Sequence, residues 1–439
     1  MNDTHPRPGP TIIPRSEHGI SRSNVSENAL KVLYRLHKSG YKAFLVGGGV
    51  RDLLLGLRPK DFDIATDAHP EEIRSLFRNS RLIGRRFRLA HIRFGRDVVE
   101  VATFRAGGNG AEDDQARTDS GRILRDNVYG SIDEDIWRRD FTVNALYYSI
   151  ADYSVWDYTG GIGDIRTRTL RLIDDPWTRY REDPVRMLRA VRFAAKLDFT
   201  IAPDTAAPIR DLGHLLADVP AARLFDETLK LFQTGHAVKS FDTLVEYDLL
   251  RYLFPSAALL IAGDDGESVT NFIRQGLANT DQRLAGDQSV TPMFLYAVFL
   301  WPGIRHLSEK LRQDQNVRDF EAMNEAMFRV VSEQTARTSL PKRFSAPMKE
   351  MLALQRRFES RHGVRAASLL EHKRFRAAYD FLVLRSRCGE VDPELADWWT
   401  KVQEADEAVR QEAFEIGQGG RKKRRRRPRR RARKDPSSS

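Results

Sequence analysis

Asp61 and Asp63 stand two apart in Lys60-Asp61-Phe62-Asp63-Ile64-Ala65, a segment whose alternation reads as a strand. Alternate residues of a strand share a face, so both carboxylates point one way, ~7 Å apart, while Phe62 and Ile64 turn into the core. Carboxylates so placed can hold divalent cations for in-line phosphoryl transfer, and without a cation they repel; the bland alternative is a solvated pair on an edge strand. Upstream, Leu45-Val46-Gly47-Gly48-Gly49-Val50-Arg51-Asp52 runs from a strand through glycines into a helix. Gly47 and Gly48 would let backbone approach an anion closely, with the helix start and Arg51 as donors to a triphosphate. The other reading is a tight turn; no Gly-Lys-Ser/Thr follows, so it is not a Walker loop. Downstream, Arg138-Arg139-Asp140-Phe141-Thr142-Val143-Asn144 offers two phosphate-binding arginines and sets Asp140 and Asn144 on one helix face. Asp140 there holds a metal, a ribose hydroxyl or an arginine, or else forms only an internal salt bridge.

A fourth segment, Arg179 to Phe193, places Asp183 and Arg186 as an i,i+3 ion pair on a helix whose opposite face, Val185, Leu188 and Val191, is core. Arg189 and Arg192 continue a basic ridge from it, and a solvated helix face is the alternative.

These residues need rigid supports, and the pattern supplies them. Ser26 caps a helix with an apolar stripe at Leu30, Leu33, Tyr34 and His37, ending at Ser39-Gly40. Tyr41 to Val46 and Lys60 to Ala65 read as strands, and Ala90 to Phe94 with Val98 to Phe104 as a hairpin turning at Gly95-Arg96. Glu100 shares one face of that hairpin with Val98 and Ala102. A capping box of Ser131 and Glu134 opens a helix expected to run to Ser149. Arg105 to Ser120 lacks periodicity and reads as a mobile loop. After Arg179 the strand pattern gives way to amphipathic helical periods until about Arg410. The expected fold class is α+β: a head of mixed sheet and helices, then an all-helical neck and body. The expected divisions are a disordered leader (1–26), head (27–173), neck (174–235), body (236–412) and disordered Arg-rich tail (413–439).

The 439 residues, 41% hydrophobic, suffice for two or three packed domains. Met293 to Trp301, the longest apolar run, is bracketed by Pro292 and Pro302 and is about half the length of a membrane span, so a soluble chain without a transmembrane segment is expected. The start lacks the order of a signal peptide and Cys388 is the sole cysteine, which fits a cytoplasmic protein. The net charge of +11 is concentrated: Arg421 to Lys434 holds twelve Lys/Arg, leaving sixty charges of each sign in the 420 residues before it. Such a self-repelling polycation binds polyphosphate chains by counterion release, and nucleic acid is the expected partner ahead of a solubilising role.

A glycine loop, an Asp-x-Asp strand and an Arg-Arg-Asp helix in this order resemble the class II nucleotidyltransferases of the polymerase-beta-like superfamily. Glu182-Asp183-Pro184-Val185-Arg186 resembles the family's Glu-Asp-x-x-Arg segment, which implies that Asp183 and Arg186 read the incoming base in place of a template. Within class II, Ile83-Gly84-Arg85-Arg86-Phe87-Arg88-Leu89-Ala90-His91, Leu124-Arg125-Asp126-Asn127 and Leu370 to Asp380 are similar to the bacterial poly(A)-polymerase branch. The resemblance implies template-independent addition of AMP from ATP to RNA 3′ ends in mRNA processing and decay, with Mg²⁺, or Mn²⁺ instead, held by Asp61 and Asp63. It implies Asp140 as the third functional carboxylate, with Glu100 as rival. Nucleotide binding falls to Gly47, Gly48, Arg51, Arg138, Arg139, Asn144, Asp183, Arg186, Arg189 and Arg192, and RNA-decay proteins are further partners through the tail. The rival readings are a CCA-adding enzyme, which would also use CTP, and a non-catalytic RNA-binding protein.

Overall fold

The computed structural model describes residues 7–84, 88–106 and 128–414. Arg85 to Phe87, most of the expected loop after Arg105, Leu124 to Asn127 and the basic tail lie outside the described residues.

The head is built on a mixed sheet. Its strands are β1 (Thr11–Ile13), β2 (Ala43–Val46), β3 (Asp63–Thr66), β4 (Ser80–Ile83), β5 (Leu89–Phe94), β6 (Asp97–Thr103), β7 (Leu146–Ser149) and β8 (Val155–Asp157). Their order across the sheet is β1-β8-β7-β2-β3-β6-β5-β4. Only β3 and β6 run parallel; the other neighbours are antiparallel. One row of paired residues crosses the middle of the sheet as Tyr147, Val46, Asp63, Glu100 and His91. That register brings Glu100 beside Asp63 although 37 positions separate them.

Both faces are covered. Ile132 and Ile136 of α4 (Ile132–Trp137) join Phe44, Val46, Ala65, Phe104 and Tyr147 in one apolar cluster. By strand alternation Leu45 and Ile64 face the other way. α1 (Glu27–Lys38) packs on β2, β3 and β6 and buries Ala29, Val32, Leu33 and Leu36. Ser26 caps α1, its hydroxyl accepting from the Ala29 amide at 3.1 Å, and the Ser131/Glu134 box opens α4. The hairpin turns at Gly95, whose φ of 64° suits glycine. α2 (Gly48–Leu54) follows β2, and α3 (Pro70–Leu76) and α5 (Gly161–Arg166) complete the head.

Two expectations are corrected here. Residues 11–13 are not part of a disordered leader: the β-branched triplet Thr11-Ile12-Ile13 pairs with Val155–Asp157 as an edge strand. The helix from Ser131 stops at Trp137 instead of Ser149, because Phe141 bridges to Leu172, Thr142 donates to the Arg171 carbonyl, and Leu146–Ser149 joins the sheet. The apolar run Met293–Trp301 lies in a helix, Pro292–Gln315, that continues past Pro302 and whose Tyr296, Phe299 and Leu300 are fully buried.

The neck comprises α6 (Pro176–Glu182), α7 (Val185–Leu197), the short α8 (Pro203–Ala206) and α9 (Ile209–Leu212), and α10 (Ala221–Phe232). Two-residue strands, Thr169–Leu170 and Thr200–Ile201, pair beside α7. Val185, Leu188 and Val191 of α7 are fully buried, as their spacing requires. Because α7 packs on both α10 and the following helix Ala237–Glu246, compactness does not divide the chain at the expected 173/174 and 235/236 borders. Residues 1–348 form one unit and 349–439 another. In the second, Trp399 is fully buried, donates its indole N–H to the Phe358 carbonyl at 2.9 Å and packs against Phe375. No helix among the described residues is long and apolar enough to cross a membrane.

Candidate active site

A cleft of about 600 Å³ opens where β2, β3 and the turn after α4 meet α7 and α10. Every residue nominated from the sequence except Glu100 lines it, although they come from four separate stretches of chain. Nine arginines and lysines face five aspartates there, an excess that suits a polyphosphate ligand.

Gly47 ends β2 with φ 69° and ψ −138°, a conformation that only glycine adopts without strain. A Cβ at this position would lie 3.5 Å from Nη1 of Arg139, so the loop brings its backbone directly under that guanidinium. α2 has seven residues, too short for much of a dipole, which leaves donor duty mainly to the surrounding side chains.

Arg51 is not one of the free donors. It is 1% exposed and donates through Nε and Nη2 to Asp52 and through Nη1 to the Asn144 amide oxygen. Asn144 in turn donates from Nδ2 to Asp140 at 3.1 Å, and the second Asp140 oxygen accepts from both Nε and Nη2 of Arg189. The chain Arg51–Asn144–Asp140–Arg189 therefore ties the glycine loop to α7. Burial alone would raise the Asp140 carboxyl, but Arg189, the Asn144 amide and the Phe141 N–H together hold it down at about 2. Asp140 and Asn144 meet as their spacing implies, but across a turn and a 3-10 segment, Thr142–Asn144.

Asp63 is accessible on the cleft floor, yet the walls crowd its carboxyl. This desolvation, with Glu100 and Asp61 nearby and only Arg139 opposing, pushes it up to about 6. The strand expected from Lys60 begins only at Asp63, so Asp61 precedes β3 rather than sharing its alternation, yet it faces the same cleft, while Phe62 lines a different hollow with Ser23 to Ser26 instead of turning into the core. Glu100 is bonded to His91 Nε2 at 3.0 Å.

Among the described residues no three His, Cys, Asp or Glu close around a point in the manner of an all-protein metal cage. An open pair of carboxylates under mutual repulsion is instead the donor set of Mg²⁺, which keeps waters and takes substrate phosphates as further ligands. Asp61 and Asp63 fit such an ion. Asp140 has its oxygens engaged by Asn144, the Phe141 N–H and Arg189, whereas Glu100 lies next to Asp63 by register.

Asp183 and Arg186, expected as an ion pair, are each bonded to another charged partner, Asp183 to Arg223 and Arg186 to Glu182. Asp183 precedes Pro184, takes extended angles (φ −149°, ψ 92°) and separates α6 from α7. Its two oxygens accept a fork from Arg223 of α10 at 2.8 and 2.7 Å. Arg186 donates to Glu182 at 3.0 Å and to the Arg179 carbonyl at 2.8 Å. Arg192 lies 3.9 Å from Glu227, which is buried and also held by Lys230. The guanidinium groups of Arg51, Arg189 and Arg192 lie 5.3, 5.2 and 4.6 Å from the Phe193 ring, whose π face accommodates cations that would otherwise repel.

Family models match three stretches: "Poly A polymerase head domain" at residues 43–171, "Probable RNA and SrmB- binding site of polymerase A" at 198–260, and "Polymerase A arginine-rich C-terminus" at 315–433. Poly(A) polymerase I of Salmonella typhi is 50% identical over 403 residues, covering 90% of this chain and 86% of that protein. Its counterpart from Haemophilus influenzae is 43% identical over 408 residues, covering 92% and 90%. The chain belongs to the poly(A) polymerase I family. A CCA-adding enzyme of Lactobacillus gasseri is 35% identical over 221 residues, 50% of this chain and 54% of that one. In fold, a "tRNA-processing enzyme (apo form I)" superposes with a TM-score of 0.61 at 21% identity, covering 90% of this chain and 98% of that one.

Seen as a poly(A) polymerase I family cleft, the site draws on three regions of the chain. The head match holds Gly47, Asp61, Asp63, Glu100 and Asp140; Asp183 to Lys196 fall between matches, and Arg223 lies in the second. Lys60, Phe193, Lys196 and Arg223 line the cleft without having been nominated from the sequence. For Arg223 a signal existed: the apolar stripe Leu224, Thr228 and Leu231 carries an acid, Glu227, on its buried face, which marks α10 as facing charge rather than only core.

Proposed function

We infer that this chain joins AMP from ATP to the 3′ end of RNA without a template, releasing pyrophosphate. The carrying observation is the cleft itself, in a chain half identical to poly(A) polymerase I: two repelling aspartates on its floor, a wall of arginines above them, and a forked Asp183–Arg223 pair at its far side. In the reaction the RNA 3′ oxygen forms a bond to the α-phosphorus of ATP, the bond from that phosphorus to the bridging oxygen breaks, and pyrophosphate leaves with the electron pair.

Asp61 and Asp63 would hold Mg²⁺, or Mn²⁺ in its place, which when bound lowers the pKa of the attacking hydroxyl and neutralises phosphate charge. Arg138 and Arg139 face the triphosphate, the Gly47 backbone leaves it room, and Arg189 and Arg192 continue the positive wall. Asp183 and Arg186 border the space for the base. With Asp183 fixed by Arg223, its acceptors have a set direction, which favours one base edge over a pocket that re-forms for several. Head, neck and body would thus divide catalysis, base selection and RNA binding, the tail adding RNA and protein contacts, in the cytoplasm where ATP and RNA meet.

The test offers purified protein, an unstructured RNA, Mg²⁺ and each nucleoside triphosphate separately. Extension with ATP alone supports the reading; incorporation of CTP followed by ATP on transfer RNA ends would replace it with the CCA-adding one, and no incorporation at all with an RNA-binding one.

A further inference from the structure

Arg139 is held more tightly than a phosphate-binding arginine on a turn needs to be. Its Nε donates to the Tyr147 hydroxyl at 2.6 Å, its Nη2 donates to Asp135 Oδ2 at 3.2 Å, and the Tyr147 hydroxyl itself donates to the same Asp135 oxygen at 2.5 Å. The guanidinium carbon also sits 4.7 Å from the Tyr147 ring centre. The three groups form a closed ring of hydrogen bonds, and each member has a different anchor. Tyr147 is fully buried in β7 within the head's apolar cluster. Asp135 belongs to α4, and its other oxygen accepts the Arg105 amide at 3.2 Å, at the end of β6. Arg139 follows α4, and the carbonyls of Arg138 and Arg139 are both capped by Arg179 of α6.

What this ring leaves over is Nη1, which makes a long 3.5 Å approach to the Asn144 carbonyl and lies over Gly47. A nitrogen so placed is aimed at the space above the glycine loop while the rest of the guanidinium is fixed. We propose that Tyr147 and Asp135 are positioning residues that hold Arg139 in place for the phosphates of the incoming nucleotide. The tyrosine serves as a two-way link, accepting from the arginine and donating to the aspartate, a task phenylalanine cannot do at the same volume. Burial raises the Tyr147 hydroxyl far above its usual range, so it keeps the proton it must donate. Fixing the guanidinium beforehand removes an ordering cost that each nucleotide would otherwise meet on binding.

This inference rests on the nucleotidyl-transfer reading, and a double-mutant cycle with Arg139 separates the two. Equilibrium binding of ATP, inhibition by inorganic pyrophosphate, and KM for ATP and for RNA are measured for Tyr147→Phe, Asp135→Asn, Arg139→Lys and the two doubles. Tyr147→Phe should weaken ATP binding and pyrophosphate inhibition by ~10-fold, the worth of a hydrogen bond to a charged group, with the RNA KM unmoved. In the Arg139→Lys background the same change should add little, because the neighbours act only through Arg139. Equal losses with and without Arg139, or a fall in thermal midpoint with unaltered ATP and pyrophosphate affinity, would overturn the proposal. If Tyr147→Phe does not fold, the Asp135→Asn cycle decides alone. A wild-type protein that binds ATP but adds no AMP would remove the functional reading, yet the binding cycle would still judge the ring.

Discussion

Asp140 and Glu100 approach the Asp61–Asp63 pair at different costs. Asp140 has both oxygens engaged, and releasing it toward a cation would leave Arg189 unpartnered in a crowded wall. Glu100 is half-exposed and paired with His91 at 3.0 Å, so it can turn at little cost. Asp63→Asn should lower AMP transfer by ~10³-fold or more while keeping the fold, since shape is kept and the charge that holds the ion is lost. Glu100→Gln and Asp140→Asn then rank the third carboxylate by their Mg²⁺ dependence: a raised Mg²⁺ requirement in the Glu100 variant alone assigns it to the ion, and the reverse restores Asp140. Asp140 makes a separate prediction in acid. Its folded value of about 2 lies below the ordinary ~3.9, so the unfolded chain binds the proton first and stability falls as pH drops. The contribution is complete above about pH 4 and is lost on the way down to about pH 2, on the order of 2 kcal/mol. The stability gap between wild type and Asp140→Asn, followed by urea unfolding, should therefore narrow over that window. A gap that stays constant would mean the Arg189 pair does not persist in solution.

At the scale of elements, legibility followed range. The Ser26 cap, the Gly95 hairpin and the buried stripe of α7 are set by neighbours within a few residues, and all could be read from the sequence, whereas the strand read from Lys60 begins only at Asp63. The overrun from Trp137 to Ser149 came from a capping box that starts a helix but cannot say where it ends; pairing with Leu172 and with β2, both distant, ended it. Likewise Asp183 and Arg186 have the spacing of a helical ion pair, and Pro184 between them is the local signal that the helix breaks. The partner that replaced Arg186 sits forty residues on, on a helix with an ordinary amphipathic period, beyond the reach of spacing arguments. α10 therefore makes its own prediction. Arg223→Ala frees Asp183 to turn and should narrow the ratio of ATP to CTP use, by roughly the 1–3 kcal/mol of a bidentate contact. Arg186→Ala should narrow it as well, through the same wall. Equal losses of rate for all four nucleotides would assign the pair to phosphate binding or to packing between the neck helices.

At the scale of the whole molecule, charge is divided by location. The chain before Arg421 carries equal numbers of acids and bases in sum, and in the cleft nine arginines and lysines face five aspartates. Arg421 to Lys434 is proposed to attract extended RNA on the strength of its composition, which was legible, while its placement lies outside the described residues. Removing residues 421–439 should leave AMP addition to a saturating short RNA near wild type, because no cleft residue is lost. RNA affinity at low salt should drop, and the slope of log affinity against log salt should become shallower by several units, at roughly 0.7 per phosphate contact on a single strand. Preference among RNA sequences should stay the same, since contacts to phosphate carry no base information. Binding titrations from about 50 to 200 mM salt measure both quantities. An unaltered slope after truncation would show that the polycation does not neutralise RNA phosphates, and the electrostatic attraction would then have to come from the chain before Arg421, where residues 342–387 hold twelve Lys/Arg against four acids.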